Sequence, residues 1–239
     1  MELKKPGFSG STLKIIALIT MFLDHAGVVV VQRMMNMPGF DHDFWRHMYL
    51  PLRYIGRISF PIFCFLLVEG FIYTSNRKKY LRRILLFALI SEIPFDLGVT
   101  GKWMDFRYQN VFWELALAIL VLMCLEIIER KNLSYGMKTV LRLTVIAVFA
   151  WSGEVLCLDY GMYGILSIVA LYAFRQNKEL QLIVGAISFL WEQVAPLAFL
   201  LLAFYNGKRG RNVKYAFYVF YPAHFLLLYV VARVIGCQY

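Results

Sequence analysis

The stretch STLKIIALITMFLDHAGVVV, residues 11–30, decides how the rest of the chain is read. Nearly all of it is apolar, and its length suits one bilayer crossing, which takes about 20 residues. Three ionisable residues interrupt it: Lys14 near the start, Asp24 and His25 near the end. A charge in hydrocarbon is expensive, so such residues face a bundle interior or a wet cavity. On a helix, Lys14 and His25 fall within about 20° of one face and about 16 Å apart along the axis. They mark two ends of one channel rather than a contact. Asp24 points about 100° away from His25, so each needs a partner from another helix. His25, whose ordinary pKa lies near neutrality, is the candidate for proton transfer. Asp24 is the candidate to orient a neighbour or counter an arginine.

Similar apolar runs recur along all 239 residues. The chain is 60% hydrophobic and 17% charged, where a soluble domain is about 25% charged. The expectation is an all-α polytopic membrane protein, one transmembrane domain over residues 1–239, with about eight or nine transmembrane or re-entrant helices. Crossings are expected at 13–33, 56–73, 81–99, 111–128, 140–156, 161–174 and 213–235. The stretch 180–205 reads as two short or re-entrant helices meeting at WEQVAP (191–196), because proline loses a donor and restricts its neighbour. One long tilted helix is the alternative. The first run carries no small-residue cleavage pattern, so no cleavable signal peptide is expected.

The net charge of +10 raises the question of nucleic acid. Its placement argues against that partner. The basic residues gather in short loops, RKKYLRR (77–83), ERK (129–131), FRQNK (174–178) and NGKRGRNVK (206–214). That is the cytoplasmic excess of Lys and Arg that sets orientation in a membrane. It predicts a multi-pass protein of the cell membrane with a cytoplasmic N-terminus. The loops at 34–53, 100–109 and 154–160 then face outward, with His42 and His47 solvated. Cys64, Cys124, Cys157 and Cys237 show no metal or redox spacing.

More polar residues interrupt the later runs. In LRYIGRISFPIFCFLLVEGFIYT (52–74), Arg53 and Arg57 share a helix face at the depth of His25. Their guanidinium groups suit a carboxylate, a phosphate or Asp24. Gly56 permits close helix approach, and Pro61 is expected to loosen the helix below. Glu69 lies level with Lys14 and is its candidate partner. Glu92 and Asp96 flank Pro94 and are expected to meet an arginine. Asn110 is a candidate helix cap, with Glu114 one turn on. All of these, apart from Glu69, are expected to converge with Asp24 and His25 on the outer half. His224 reads equally as cavity lining or aromatic packing. No HExxH, GxSxG, P-loop or dinucleotide fingerprint is present, and no metal site is expected. A group transferase, a proton-coupled transporter and an assembly or scaffold protein all remain open on the residues alone.

The same residues carry a resemblance to the TraX family of membrane proteins. The matching pieces are LKIIALITMFLDHAG (13–27), the run from Leu52 to Leu97, DYGMYGIL (159–166), YNGKRG (205–210) and KYAFYVFYPAH (214–224). NVFWEL (110–115) departs from it by placing Trp113 and Glu114 in a helix that is more apolar in relatives. The family's best-known activity is N-terminal acetylation of pilin, and it is similar to multi-helix membrane acyltransferases that use a cytoplasmic acyl-coenzyme A. The resemblance implies acetyl transfer from acetyl-CoA to an amine or hydroxyl acceptor at the membrane: a protein N-terminus, a sugar or a lipid. It implies a base at His25, supported by Asp24, with Arg53 and Arg57 for oxyanion charge or an anionic acceptor. It also implies coenzyme A phosphates at the basic loop 77–83 and the 208–214 cluster, at Arg77, Lys78, Lys208 and Arg209 foremost, with Lys14 along the path.

Overall fold

Helix starts in this chain are written with Ser, Asp and Asn. Ser9 accepts from the Thr12 amide, Asp41 from Asp43 and Phe44, and Asn76 from Lys79. Asn110 accepts from Phe112, Ser134 from Met137, and Asn177 from Leu180. Each satisfies an N–H that a first helical turn leaves without a partner. The computed structural model describes residues 7–211 and 214–237. In chain order its helices are α1 (Gly10–Ala26), a π-turn (Gly27–Val31), α2 (Gln32–Met35), α3 (His42–Gly56) and α4 (Ser59–Tyr73). There follow α5 (Arg77–Thr100), α6 (Val111–Arg130), α7 (Tyr135–Val155), α8 (Gly161–Ala173) and α9 (Lys178–Ser188). Two 3-10 turns (Leu190–Glu192 and Ala195–Leu197), α10 (Ala198–Ala203) and α11 (Lys214–Ile235) complete it.

The result is an all-α bundle and a multi-pass helical membrane protein. Among the described residues, four segments are long and apolar enough to cross a bilayer: Gly10–Met35, His42–Tyr73, Val111–Arg130 and Phe217–Ile235. Phe65, Phe71, Ile119, Leu122 and Ile165 fill the centre where α4, α6 and α8 meet. In a bilayer such side chains gain from close packing rather than from leaving water.

The basic loops gather at one end. Arg77 meets Glu126, Arg142 meets Glu129, and the Lys138 ammonium reaches the Glu129 carbonyl. Lys178 donates to the carbonyls of Ala203 and Tyr205, at 3.1 and 2.7 Å. That last pair ties the two ends of the 178–205 stretch together. The stretch is therefore a hairpin of short helices with its 3-10 tip inside the bundle, as proline at 196 predicted. The described part of the last basic loop ends at Arg211, since residues 212–213, where the final crossing was expected to begin, lie outside the described residues.

Two expectations need correction, and a third is met in place. The segment 34–53, expected as a loop, is largely helix: α3 runs from His42 and, after a short break at Arg57–Ile58, continues as α4. Its pattern is amphipathic, with Tyr49, Leu52 and Arg53 lying against Gly27. His42 and His47 are exposed, but on this helix rather than in a loop. Pro61 was expected to loosen the helix, and the break at Arg57–Ile58 falls where its missing N–H and its ring act, leaving Pro61 in the first turn of α4. The first crossing extends to Met35 through the π-turn, whose loosened carbonyls are collected by Arg33. Its guanidinium donates to Val28 and Val29, at 3.2 and 2.6 Å, and to Val99 on α5 at 2.6 Å.

Candidate functional site

At the end of the bundle away from the basic loops, α1 and the α3–α4 junction lie side by side. Gly56 makes this possible, because a Cβ there would collide with the Asp24 side chain. Arg53 Nη1 donates to Asp24 Oδ2 at 2.6 Å. One turn on, Arg57 Nε meets Glu192 Oε1 at 2.8 Å. Glu192 sits at the tip of the α9–α10 hairpin, so this ion pair anchors the tip to the centre of the bundle. Asp159 and Tyr160 lie within electrostatic reach of Arg57 and Asp24. Tyr160 stacks flat on Phe60, with ring centroids 3.5 Å apart. Its amide donates to Glu114 Oε2 at 3.3 Å, and the Met162 amide donates to Glu154 at 2.8 Å. Two carboxylates from α6 and α7 thus cap α8, a favourable place for negative charge.

His25 points to a different partner. Its Nδ1 lies 2.6 Å from Nε2 of His224 on α11. The two rings are nearly coplanar, at 12° with centroids 4.9 Å apart, so the contact runs in the plane of both. His224 Nδ1 donates to the Phe220 carbonyl at 3.0 Å. Phe225 and Tyr221 pack against His25 at 4.4 and 6.2 Å between centroids. Asp24 and His25 therefore do find separate partners on other helices.

The wider convergence resolves into local pairs. Among the described residues Glu92 meets no arginine: its carboxylate accepts from Asn110 and, at 2.8 Å, from Trp113 Nε1. Asp96 accepts from the Asp105 amide. Trp113 and Glu114, the departure in the fourth crossing, staple α6 to α5 and to the start of α8. Asn110 caps α6 as expected.

A cavity of about 630 Å³ opens at the basic end. Lys14, Arg83, Arg209 and Arg211 line its mouth; Leu18, Met21, Leu67 and Ile84 line its walls; Phe112 and Tyr221 stand at the far end. Phe112 touches Tyr221 at 4.8 Å, and Tyr221 touches His25. The cavity thus runs from a cationic mouth to within one ring of the paired imidazoles. Arg83 Nε is buried with no hydrogen-bond partner among the described residues. The mouth is framed by a clip. Gly10 N donates to Lys208 O, Ser11 N to Arg209 O, and Arg211 N to Ser11 Oγ. Gly210, at φ 73°, turns the loop where any Cβ would strike Ser11.

Of the residues expected to hold coenzyme A, Lys14 and Arg209 line this cavity. Lys14 also lies over Phe217, 5.3 Å from the ring centroid, while Glu69 on the same wall bonds Tyr205. Arg77 is occupied by Glu126 and the Thr74 carbonyl. Lys78 and Lys208 are exposed, and their side chains lie outside the lining. Arg83 and Arg211 lie within the basic stretches 77–83 and 208–214 expected to receive phosphates, whereas sequence reasoning gave no site role to Asp159, Tyr160 and Glu192. The break at WEQVAP and the motif DYGMYGIL were the available signals for the last three. Among the described residues, no group of three or more His, Cys, Asp or Glu is arranged to hold a metal ion.

Comparison with known proteins adds two findings. The family profile described as TraX protein matches residues 9–232. The probable fimbrial assembly protein FimC, serogroup H1, of Dichelobacter nodosus is 33% identical over 252 aligned residues, spanning 92% of this chain and 94% of its own length. No solved structure matches.

Proposed function

The chain belongs to the TraX family, and we propose that it is a membrane acyltransferase, moving an acetyl group from acetyl-CoA to an amine or hydroxyl acceptor. The observation that carries this reading is the cavity. Its mouth bears four cations, its walls are apolar, and its far end stops at Tyr221, whose ring packs against His25. That sequence of surfaces matches a thioester donor from phosphates to arm to acyl group. Lys14, Arg83, Arg209 and Arg211 hold phosphate charge, for which guanidinium forks are suited. Arg77, Lys78 and Lys208 contribute orientation and field rather than contact.

The basic end is cytoplasmic, following the positive-inside rule. Helices α5, α7 and α8 and the α9–α10 hairpin complete the membrane bundle around the four long segments. The acceptor arrives at the opposite end, beside Arg57 and Glu192. Its N–H or O–H proton passes to His25 as its nitrogen or oxygen attacks the thioester carbonyl. The carbon–sulfur bond then breaks, and the leaving thiolate takes the proton back from His25. Arg53 and Arg57, each held by a carboxylate, supply positive potential for the developing oxyanion. Asp24 keeps Arg53 in place. The description of the relative as a fimbrial assembly protein favours a protein acceptor.

The test is coenzyme A release by the purified protein, given acetyl-CoA and a membrane extract. His25→Ala abolishes release while leaving insertion intact. Arg83→Glu and Arg211→Glu weaken acetyl-CoA binding about tenfold or more, whereas Lys78→Glu leaves it unchanged. Folded protein that neither binds acetyl-CoA nor releases coenzyme A would refute the reading and favour a non-catalytic assembly role.

A further inference from the structure

Resting on the acyltransferase reading, the His25–His224 pair can be taken one step further. The Phe220 carbonyl has lone pairs only, so the His224 Nδ1 that bonds it at 3.0 Å carries a proton. A neutral imidazole with its proton on Nδ1 has a bare lone pair on Nε2. That lone pair faces His25 Nδ1 at 2.6 Å. Two lone pairs do not meet at that distance, so the proton in the contact belongs to His25 Nδ1. His25 is neutral with one N–H, and that N–H is now spent. Its Nε2 is left unprotonated.

We propose that His224 is a positioning residue that fixes His25 in its Nδ1–H tautomer and so prepares His25 Nε2 as the proton acceptor. The near-coplanar rings, at 12°, hold the orientation as well as the tautomer. Phe22, Phe220 and Phe225 pack around His224 and keep its ring in that plane. Asp24, next in sequence, does not compete for the role: its carboxylate accepts from Arg53. When His25 Nε2 takes the acceptor's proton, the imidazolium still donates from Nδ1 to His224 Nε2. The positive charge is then met by a lone pair instead of bare hydrocarbon. When the thiolate recovers that proton, the starting tautomers return and no proton is gained or lost.

The experiment reads the tautomer directly. The chain has only four histidines, so ¹⁵N-histidine-labelled protein in detergent gives a spectrum in which single substitutions assign His25 and His224. In the wild type, His25 is expected to carry its proton on Nδ1. In His224→Phe, which keeps the aromatic packing and removes the acceptor, that preference is lost. There, kcat for coenzyme A release falls roughly a hundredfold, with the KM for acetyl-CoA unchanged. In His224→Gln, whose amide oxygen also accepts from His25 Nδ1, most of the kcat returns. A wild-type spectrum with the His25 proton on Nε2 overturns the proposal, whether or not coenzyme A is released. So does an unchanged kcat in His224→Phe. Absent release with the expected tautomer would instead sink the acyltransferase reading and leave the tautomer assignment standing.

Discussion

Replacing Arg53 by leucine gives a worked test of the ionic cluster. The change removes the 2.6 Å contact to Asp24 Oδ2. The other oxygen, Oδ1, already lacks a hydrogen-bond partner among the described residues. Asp24 is left as a carboxylate with none. Taking away one half of a buried pair costs about 3–5 kcal/mol. Two features lower that figure. The side chains of Arg53 and Asp24 are 20% and 12% exposed, so water retains part of its screening. Arg57, one turn along, also attracts Asp24. The expected cost is therefore about 2–3 kcal/mol. Asp24→Leu costs less, about 1–2 kcal/mol, because the long stem of Arg53 lets its guanidinium reach water. With both replaced, no charge is stranded, and apolar side chains fill the space at a cost near zero to about 1 kcal/mol. The coupling is thus about 3–4 kcal/mol. Unfolding of the four proteins in mixed micelles, followed by tryptophan fluorescence, measures it. Single effects that add to within about 0.5 kcal/mol would refute the argument.

The hairpin and the loop after α5 offer two further tests. Lys178→Met removes both ties between the ends of the 178–205 stretch. Because Lys178 is exposed, global stability changes by less than about 1 kcal/mol, yet amides in 198–205 exchange faster by hydrogen exchange; unchanged protection would show that the ties are idle. In the loop after α5, hydrogen bonds from Arg107 hold the Asp105 carboxyl well below the usual carboxylate range. A carboxyl depressed in the folded state contributes fully above its unfolded pKa, about 3.9, and loses that contribution as pH falls through the folded value. Protection of the Arg107 amide, which donates to Asp105 Oδ1, should therefore fade on acidification and be low at every pH in Asp105→Ala.

What the sequence could not resolve follows from the limits of periodicity. The run at 13–33 and the break at Pro196 were legible because apolarity and proline act locally. Helix α3 was not: it reads as a polar loop until Gly27 supplies a surface for Tyr49, Leu52 and Arg53. Helical spacing also separates Lys78 from Arg83 by about 140° around α5, but it cannot tell which side faces the cavity. Packing decides that, and it turns Arg83 inward. Glu192 reaches Arg57 only because the hairpin folds back.

His224 is the sharpest case. Its position on an apolar helix was equally compatible with cavity lining and with aromatic packing, and the structure shows the packing, with Tyr221 standing between the cavity and the imidazole pair. Its edge bonds His25 while Phe220 stacks on it at 13° and Phe225 packs against it at 4.4 Å between centroids. No spacing rule links residues on α1 and α11. The choice between spectator and positioning residue rests on which nitrogen carries the proton. That choice follows from one fixed acceptor, the Phe220 carbonyl. A carbonyl cannot donate, so the direction of every hydrogen bond between it and His25 is determined, and with it the atom of His25 left free to take a proton.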